Sequence, residues 1–150
     1  MVNSLYKYEE TIQYNIVSRS RISNIELNNL TGKPVPASFL QEVAQNVLLK
    51  EKKKGMGLSL VIAEKKLMQT LNRQYRNEDK ASNVLSFKIA EIGLGEVMLC
   101  PAEIRRDAKN YGISYRKAMA WMLIHGILHV LGYTHTQMMK KEKFYRSRIS

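Results

Sequence analysis

All three histidines of the chain fall in one stretch, His125-Gly-Ile-Leu-His129-Val-Leu-Gly132-Tyr-Thr-His135, directly after its longest apolar segment. From Ser114 the residues Ala118, Met119, Ala120, Trp121, Met122, Leu123 and Ile124 lead into it, and Ile127, Leu128, Val130 and Leu131 continue it. Apolar side chains so distributed cover nearly the whole circumference of a helix, which predicts a helix buried among other elements. His125 and His129 then lie one above the other on one face, and buried imidazoles cost free energy unless their nitrogens find partners.

Gly132 suits a helix C-terminus, where a residue without a side chain takes the left-handed conformation and turns the chain back. His135 can then meet the other two. Three neutral imidazoles from a helix and the following turn, without thiolates or an evident carboxylate, favour one Zn2+ ion with an open position, as in a catalytic site. A histidine pair at this spacing is more often an ordinary core or surface pair; the third histidine after the glycine tips the balance towards metal. The spacing H-x3-H-x2-G-x2-H is also that of metzincin proteases, whose general-base glutamate follows the first histidine. Gly126 stands there instead.

A length of 150 residues supports one domain with a real core. Lysines and arginines number 24 against 13 acidic residues, a formal charge of +11 that raises the odds of a polyanionic partner. From Pro101 onward ten basic residues face three acidic ones, so the excess gathers near the histidines. Cys100 is the only cysteine and allows no intrachain disulfide. The first residues hold no apolar signal core, and the apolar stretch is interrupted by histidines and too short to span a bilayer. These features place the protein in the cytoplasm, away from membranes.

Residues 1–21 show no clean period and are set apart as an N-terminal extension; residues 22–150 are read as a single domain. Alternation from Ile22 to Leu27 predicts a short strand. Pro36 opens a helix through Phe39, Leu40, Val43, Val47 and Leu48, and the run Lys50 to Lys54 is its solvated end. Gly57 to Ala63 reads as strand and Glu64 to Tyr75 as helix, with Arg76 to Asn83 a polar loop. Val84 to Ile89 and Glu96 to Leu99 read as an antiparallel pair joined through Gly93 and Gly95. Pro101 opens a helix that Gly112 closes, and Thr136 to Ser150 forms a basic helical tail. The class is α+β: a small mixed sheet covered by helices, with the histidine helix central.

Three blocks together resemble the YbeY family of bacterial endoribonucleases: Leu71 to Phe87 through Arg76, Asp79, Lys80 and Asn83, the Gly95-Glu96 turn into a strand, and the closing histidine stretch. The resemblance covers roughly residues 22–140. It implies a zinc-dependent ribonuclease that prefers single-stranded RNA, acts in ribosomal RNA maturation and ribosome quality control, and meets ribosomal subunit proteins. It carries over His125, His129 and His135 as zinc ligands and Arg76 as an arginine needed near the metal. A metal and a guanidinium together can neutralise the charge that builds on phosphoryl oxygens during cleavage.

The chain departs from the family pattern at several positions. Thr134 replaces the usual aspartate before the last histidine, Glu96 a common aspartate, and Ala81-Ser82 a usual Pro-Thr. The tail after His135 is basic, with Glu142 its only carboxylate. Losing the aspartate removes an expected partner for a ligand imidazole, and such partners tune metal affinity. No general base is evident; Glu96 is the nearest candidate by analogy, though a structural carboxylate is the better reading. Two other functions fit the residues: a non-catalytic basic ribosome-assembly or RNA-binding factor with a structural metal, and a metalloprotease, which Gly126 argues against.

Overall fold

A computed structural model describes residues 24–149. The N-terminal extension therefore lies outside the described residues. The chain order is β1 (Ile25–Asn29), α1 (Ala37–Lys50), β2 (Leu58–Ile62), α2 (Lys65–Arg76), β3 (Val84–Lys88), β4 (Gly95–Leu99), α3 (Pro101–Tyr111), α4 (Tyr115–Val130) and α5 (His135–Arg146). The strands form one sheet in the order β1-β2-β4-β3, with β1, β2 and β4 parallel and β3 antiparallel to β4. The small mixed sheet and its covering helices make the α+β class a finding.

β2 and β4 are the interior strands, and every residue of both is buried. That explains their continuous apolar character, since a strand covered on both faces has no polar face to alternate with. On one face Leu60, Ile62, Val97 and Leu99 pack under α1, α3, α4 and α5. On the other, Val61, Met98 and Leu85 meet Met68 and Leu71 of α2. Each large side chain fully buried here contributes about 1.5–3 kcal/mol relative to exposure.

α4 is the hub. It packs against α1, α3, α5, β3 and β4. Ser114 caps its N-terminus, accepting a hydrogen bond from the Lys117 backbone N–H at 3.1 Å. Gly126 lets it settle onto the sheet: a Cβ there would stand 2.5 Å from Val97 Cγ1, and Ser86 Oγ donates to the Gly126 carbonyl at 3.1 Å. Burial is not complete around the circumference. Ala118, Met119, Leu123, Ile124, Ile127 and Leu128 are covered, whereas Trp121, Met122 and His125 are half-buried and His129 is exposed. The expected fully buried histidine helix is thus a central helix with one open stripe, and that stripe carries the imidazoles.

Two further boundaries differ from the sequence reading. Arg76 is the last residue of α2, not part of the polar loop; Asn77 ends the helix at φ +56°. The lysine run after α1 is exposed at Lys52, Lys53 and Lys54, but Glu51 within it is drawn inward, its side chain only 5 % exposed. Both differences arise from tertiary partners. Among the described residues no helix is long and apolar enough to cross a membrane.

Candidate metal centre

His125 and His129 follow Trp121 at four-residue steps and share its face of α4. Their ring centroids are 6.5 Å apart. Leu131 ends the helix, and Gly132, at φ +86°, turns the chain as the spacing predicts. Thr134 then starts α5 with a capping box: its hydroxyl accepts from the Gln137 N–H at 3.2 Å, and Gln137 Oε1 accepts from the Thr134 N–H at 2.9 Å. The threonine at the departing position therefore fixes the helix start. His135 is the first residue of α5 and is exposed.

The histidines do not stand alone. Glu142 Oε1 lies 2.6 Å from His125 Nδ1, and its side chain is 14 % exposed. A carboxylate on Nδ1 favours the tautomer that leaves Nε2 with its lone pair available. The imidazole partner expected to be missing is supplied by a residue of the next helix. At His129, partial desolvation over the helix, then His125, Arg76 and Lys88, push the ring pKa below its ordinary value, although the residue remains accessible. A neutral ring is the form that binds metal.

Two cations thus reach the field of His129 from separate elements. Arg76 ends α2 and Lys88 ends β3, both exposed. Tyr75 and Phe87, their respective chain neighbours, meet edge to face with centroids 4.9 Å apart and fix the two ends together. Lys88 Nζ lies over the turn, 3.0 Å from where a Cβ on Gly132 would be. Lys88 escaped the sequence reading because one lysine ending a strand carries no signal of its own.

The turn is anchored from α1. Tyr133 donates a short hydrogen bond to Glu51 Oε1, Tyr145 donates to Oε2 at 2.5 Å, and Lys141 donates to both oxygens at 3.2 and 3.1 Å. Burial alone would raise the Glu51 carboxyl; the hydrogen bonds from Tyr133, Tyr145 and Lys141 outweigh it and hold the pKa below its ordinary value. Glu51 fastens both the residue after Gly132 and the far end of α5.

Glu96 is excluded from this chemistry by its position. Alternation along β4 puts it with Met98 on the sheet face opposite α4, where Ser59 Oγ donates to it at 2.7 Å. It is fully buried, and burial pushes its pKa well above the carboxylate range. The structural reading of Glu96 is the one its surroundings support.

The donor set suits a zinc-like ion in its chemistry: imidazoles with a carboxylate behind one of them. As the side chains lie, no group of three or more His, Cys, Asp or Glu among the described residues is close enough to hold a metal. His135, the first residue of α5, is exposed, and the three histidines would have to draw closer together to share one ion. Gly126, pressed against Val97, leaves no room for the glutamate of a metzincin.

A sequence profile described as endoribonuclease YbeY matches residues 11–148. The chain belongs to the YbeY endoribonuclease family. A Bdellovibrio bacteriovorus protein named endoribonuclease YbeY is 39% identical over 116 residues, covering 71% of this chain and 77% of its own length. A Sulfurovum protein of the same name is 33% identical over 132 residues, covering 79% and 86%. A solution structure from Thermotoga maritima shares the fold, with a TM-score of 0.57 at 23% identity, covering 81% of this chain and 86% of that one. The family match reaches back to residue 11, into the stretch that sequence patterning set apart as an extension.

Proposed function

We propose that this YbeY-family chain is a zinc-dependent endoribonuclease that prefers single-stranded RNA and acts in ribosomal RNA maturation and ribosome quality control. Its setting is the cytoplasm, in contact with ribosomal RNA and ribosomal subunit proteins. Family membership supports the reaction class. The observation that carries the reading is the convergence of Arg76 and Lys88 on the histidine stripe: a basic, accessible face with imidazole donors is suited to a phosphodiester.

In this reading His125, through Nε2, joins His129 and His135 as the zinc ligands. Bound zinc supplies Lewis acidity at a phosphoryl oxygen. Arg76 presents a planar pair of N–H donors to the phosphate and steadies charge that grows during cleavage, and Lys88 adds a point charge beside it. Glu142 holds the His125 ring in one orientation. Glu51, through Tyr133, fixes the turn that carries His135. The formal charge of +11 favours a long polyanion.

The test is cleavage of a labelled single-stranded RNA by zinc-loaded protein, chelator-treated protein and His129→Ala. Cleavage by the zinc-loaded protein alone supports the reading. Equal cleavage in all three indicates a contaminant, and RNA bound in all three without turnover points to a ribosome-assembly factor.

A further inference from the structure

The lysine run that ends α1 and the basic helix α5 are far apart in sequence and meet in the fold. Lys50 Nζ stands 5.8 Å from the centroid of the Phe144 ring, and the Arg148 guanidinium covers that ring at 3.7 Å. Lys140 precedes Phe144 by one helical turn, with Lys143 beside it three residues on, and both are exposed. The only acids in residues 50–54 and 139–148 are Glu51 and Glu142, and both turn inward. Glu51 is held by Tyr133, Lys141 and Tyr145, and Glu142 by His125. Their side chains are 5 % and 14 % exposed. What faces outward is positive charge: among the described residues, Lys50, Lys52, Lys140 and Lys143 form no ion pair.

The run is also held in shape. Lys52 stands at φ +58°, and the N–H groups of Lys52 and Lys53 donate to the Leu49 and Leu48 carbonyls at 3.2 and 2.8 Å. Glycine or asparagine takes this left-handed position at lower cost, so a lysine there accepts backbone strain and places a charge at the turn.

We propose that this face, the run from Lys50 to Lys54 with Lys140, Lys143 and Arg148, docks the phosphate backbone of helical RNA. Ammonium groups on flexible stems meet phosphates as point charges and read no sequence. Arg148 already covers a face of the Phe144 ring, so the surface offers cations rather than an open stacking platform, which favours paired over unpaired RNA. The surface is separate from the histidine stripe: Glu142 turns from α5 to His125, whereas Phe144 turns to the end of α1. It therefore acts on affinity for structured RNA and not on the chemistry. The choice of RNA among polyanions rests on the ribonuclease reading; the uncompensated charge does not.

The test is binding of zinc-loaded full-length protein to a dye-labelled 2′-O-methyl RNA duplex of about 16 base pairs, followed by anisotropy at several salt concentrations. The combined variant Lys50→Gln, Lys140→Gln, Lys143→Gln should bind at least about tenfold more weakly, with a slope of log affinity against log salt shallower by about two to three units. Its Tm should stay within a few degrees of wild type, since all three positions are exposed. The combined variant Lys33→Gln, Lys66→Gln, Lys109→Gln has the same net charge but alters exposed lysines on other elements, and should bind as wild type does. Lys50→Arg, Lys140→Arg and Lys143→Arg together should keep the duplex bound. Equal loss in the two glutamine variants would reduce the effect to net charge and overturn the surface. A single strand of equal length that depends on the three lysines as strongly as the duplex would overturn the preference for paired RNA. Lysine-dependent binding to phosphatidylserine-containing vesicles, with no duplex bound, would overturn RNA as the partner. Lysine-dependent duplex binding by a protein that cuts no RNA would uphold the surface and sink the ribonuclease reading, whereas zinc-dependent cleavage without such binding would overturn the surface alone.

Discussion

Glu142 Oε1 lies 2.6 Å from His125 Nδ1, linking α5, about two turns in from its start, to the histidine stripe of α4. The carboxylate arrives from seven positions beyond His135, so a chain with threonine at 134 still places a negative charge behind one of its imidazoles. Thr134 is thereby released to cap α5.

If His125 is a zinc ligand, Glu142→Ala should weaken zinc binding by about 10–100-fold. Glu142→Gln, which retains an acceptor for the Nδ1–H but loses the charge, should fall between it and wild type. Competition against a chelating dye reads both, and affinities equal to wild type would remove Glu142 from the site.

Arg76→Ala should lower kcat/KM for RNA by about 100–1,000-fold with little change in Tm, since the side chain is exposed. Lys88→Ala should act mainly on binding, reducing the slope of log affinity against log salt by about one unit. Kinetics at several salt concentrations separate the two roles; identical behaviour of both variants would mean that neither contacts the phosphate selectively.

Glu51→Ala leaves the Tyr133 and Tyr145 hydroxyls without their acceptor and should cost about 3 kcal/mol of stability. Its folded pKa lies below the unfolded value, so the stabilisation is present above the ordinary carboxylate range and disappears as pH falls through the folded value. Denaturant unfolding across the acid range should therefore show wild type losing its advantage over Glu51→Gln as the solution becomes more acidic. A constant difference down to strong acid would contradict the tether.

Glu96 carries the opposite sign. Its folded pKa is raised by burial, so the neutral carboxyl is favoured in the fold, and stability is lost as pH rises from the unfolded value through the folded one. Glu96→Gln should flatten that decline and be relatively more stable at neutral and alkaline pH. Parallel stability curves for the two proteins would show that Glu96 does not titrate in this window.

Much of the architecture is legible in local pattern. The period of Leu40, Val43 and Val47 marks α1, the β-branched run before Ala63 marks β2, and Pro101 with Gly112 brackets α3, because helix and strand periods and end signals are properties of adjacent residues. The limits are equally local. Glu51 looks like one more solvated charge in a lysine run, since nothing nearby announces that Tyr133, Tyr145 and Lys141 will arrive from the other end of the chain. Arg76 reads as loop because the chain around it is polar, yet Asn77 in the left-handed conformation closes α2 only after it. The apolar count around α4 predicted a covered helix and missed that no element packs over Trp121, His125 and His129 as completely as over their neighbours.

By itself the sequence determined that His125 and His129 share one helix face and that the chain turns at Gly132, because helical rise and a side-chain-free residue leave little alternative. It also carried the family resemblance. Only the tertiary structure decided which carboxylate meets His125, which cations surround His129, and that Glu96 faces away across the sheet. Those relations depend on how α2, β3 and α5 are laid against α4, and side chains far apart in the sequence acquire a distance only once the core has packed.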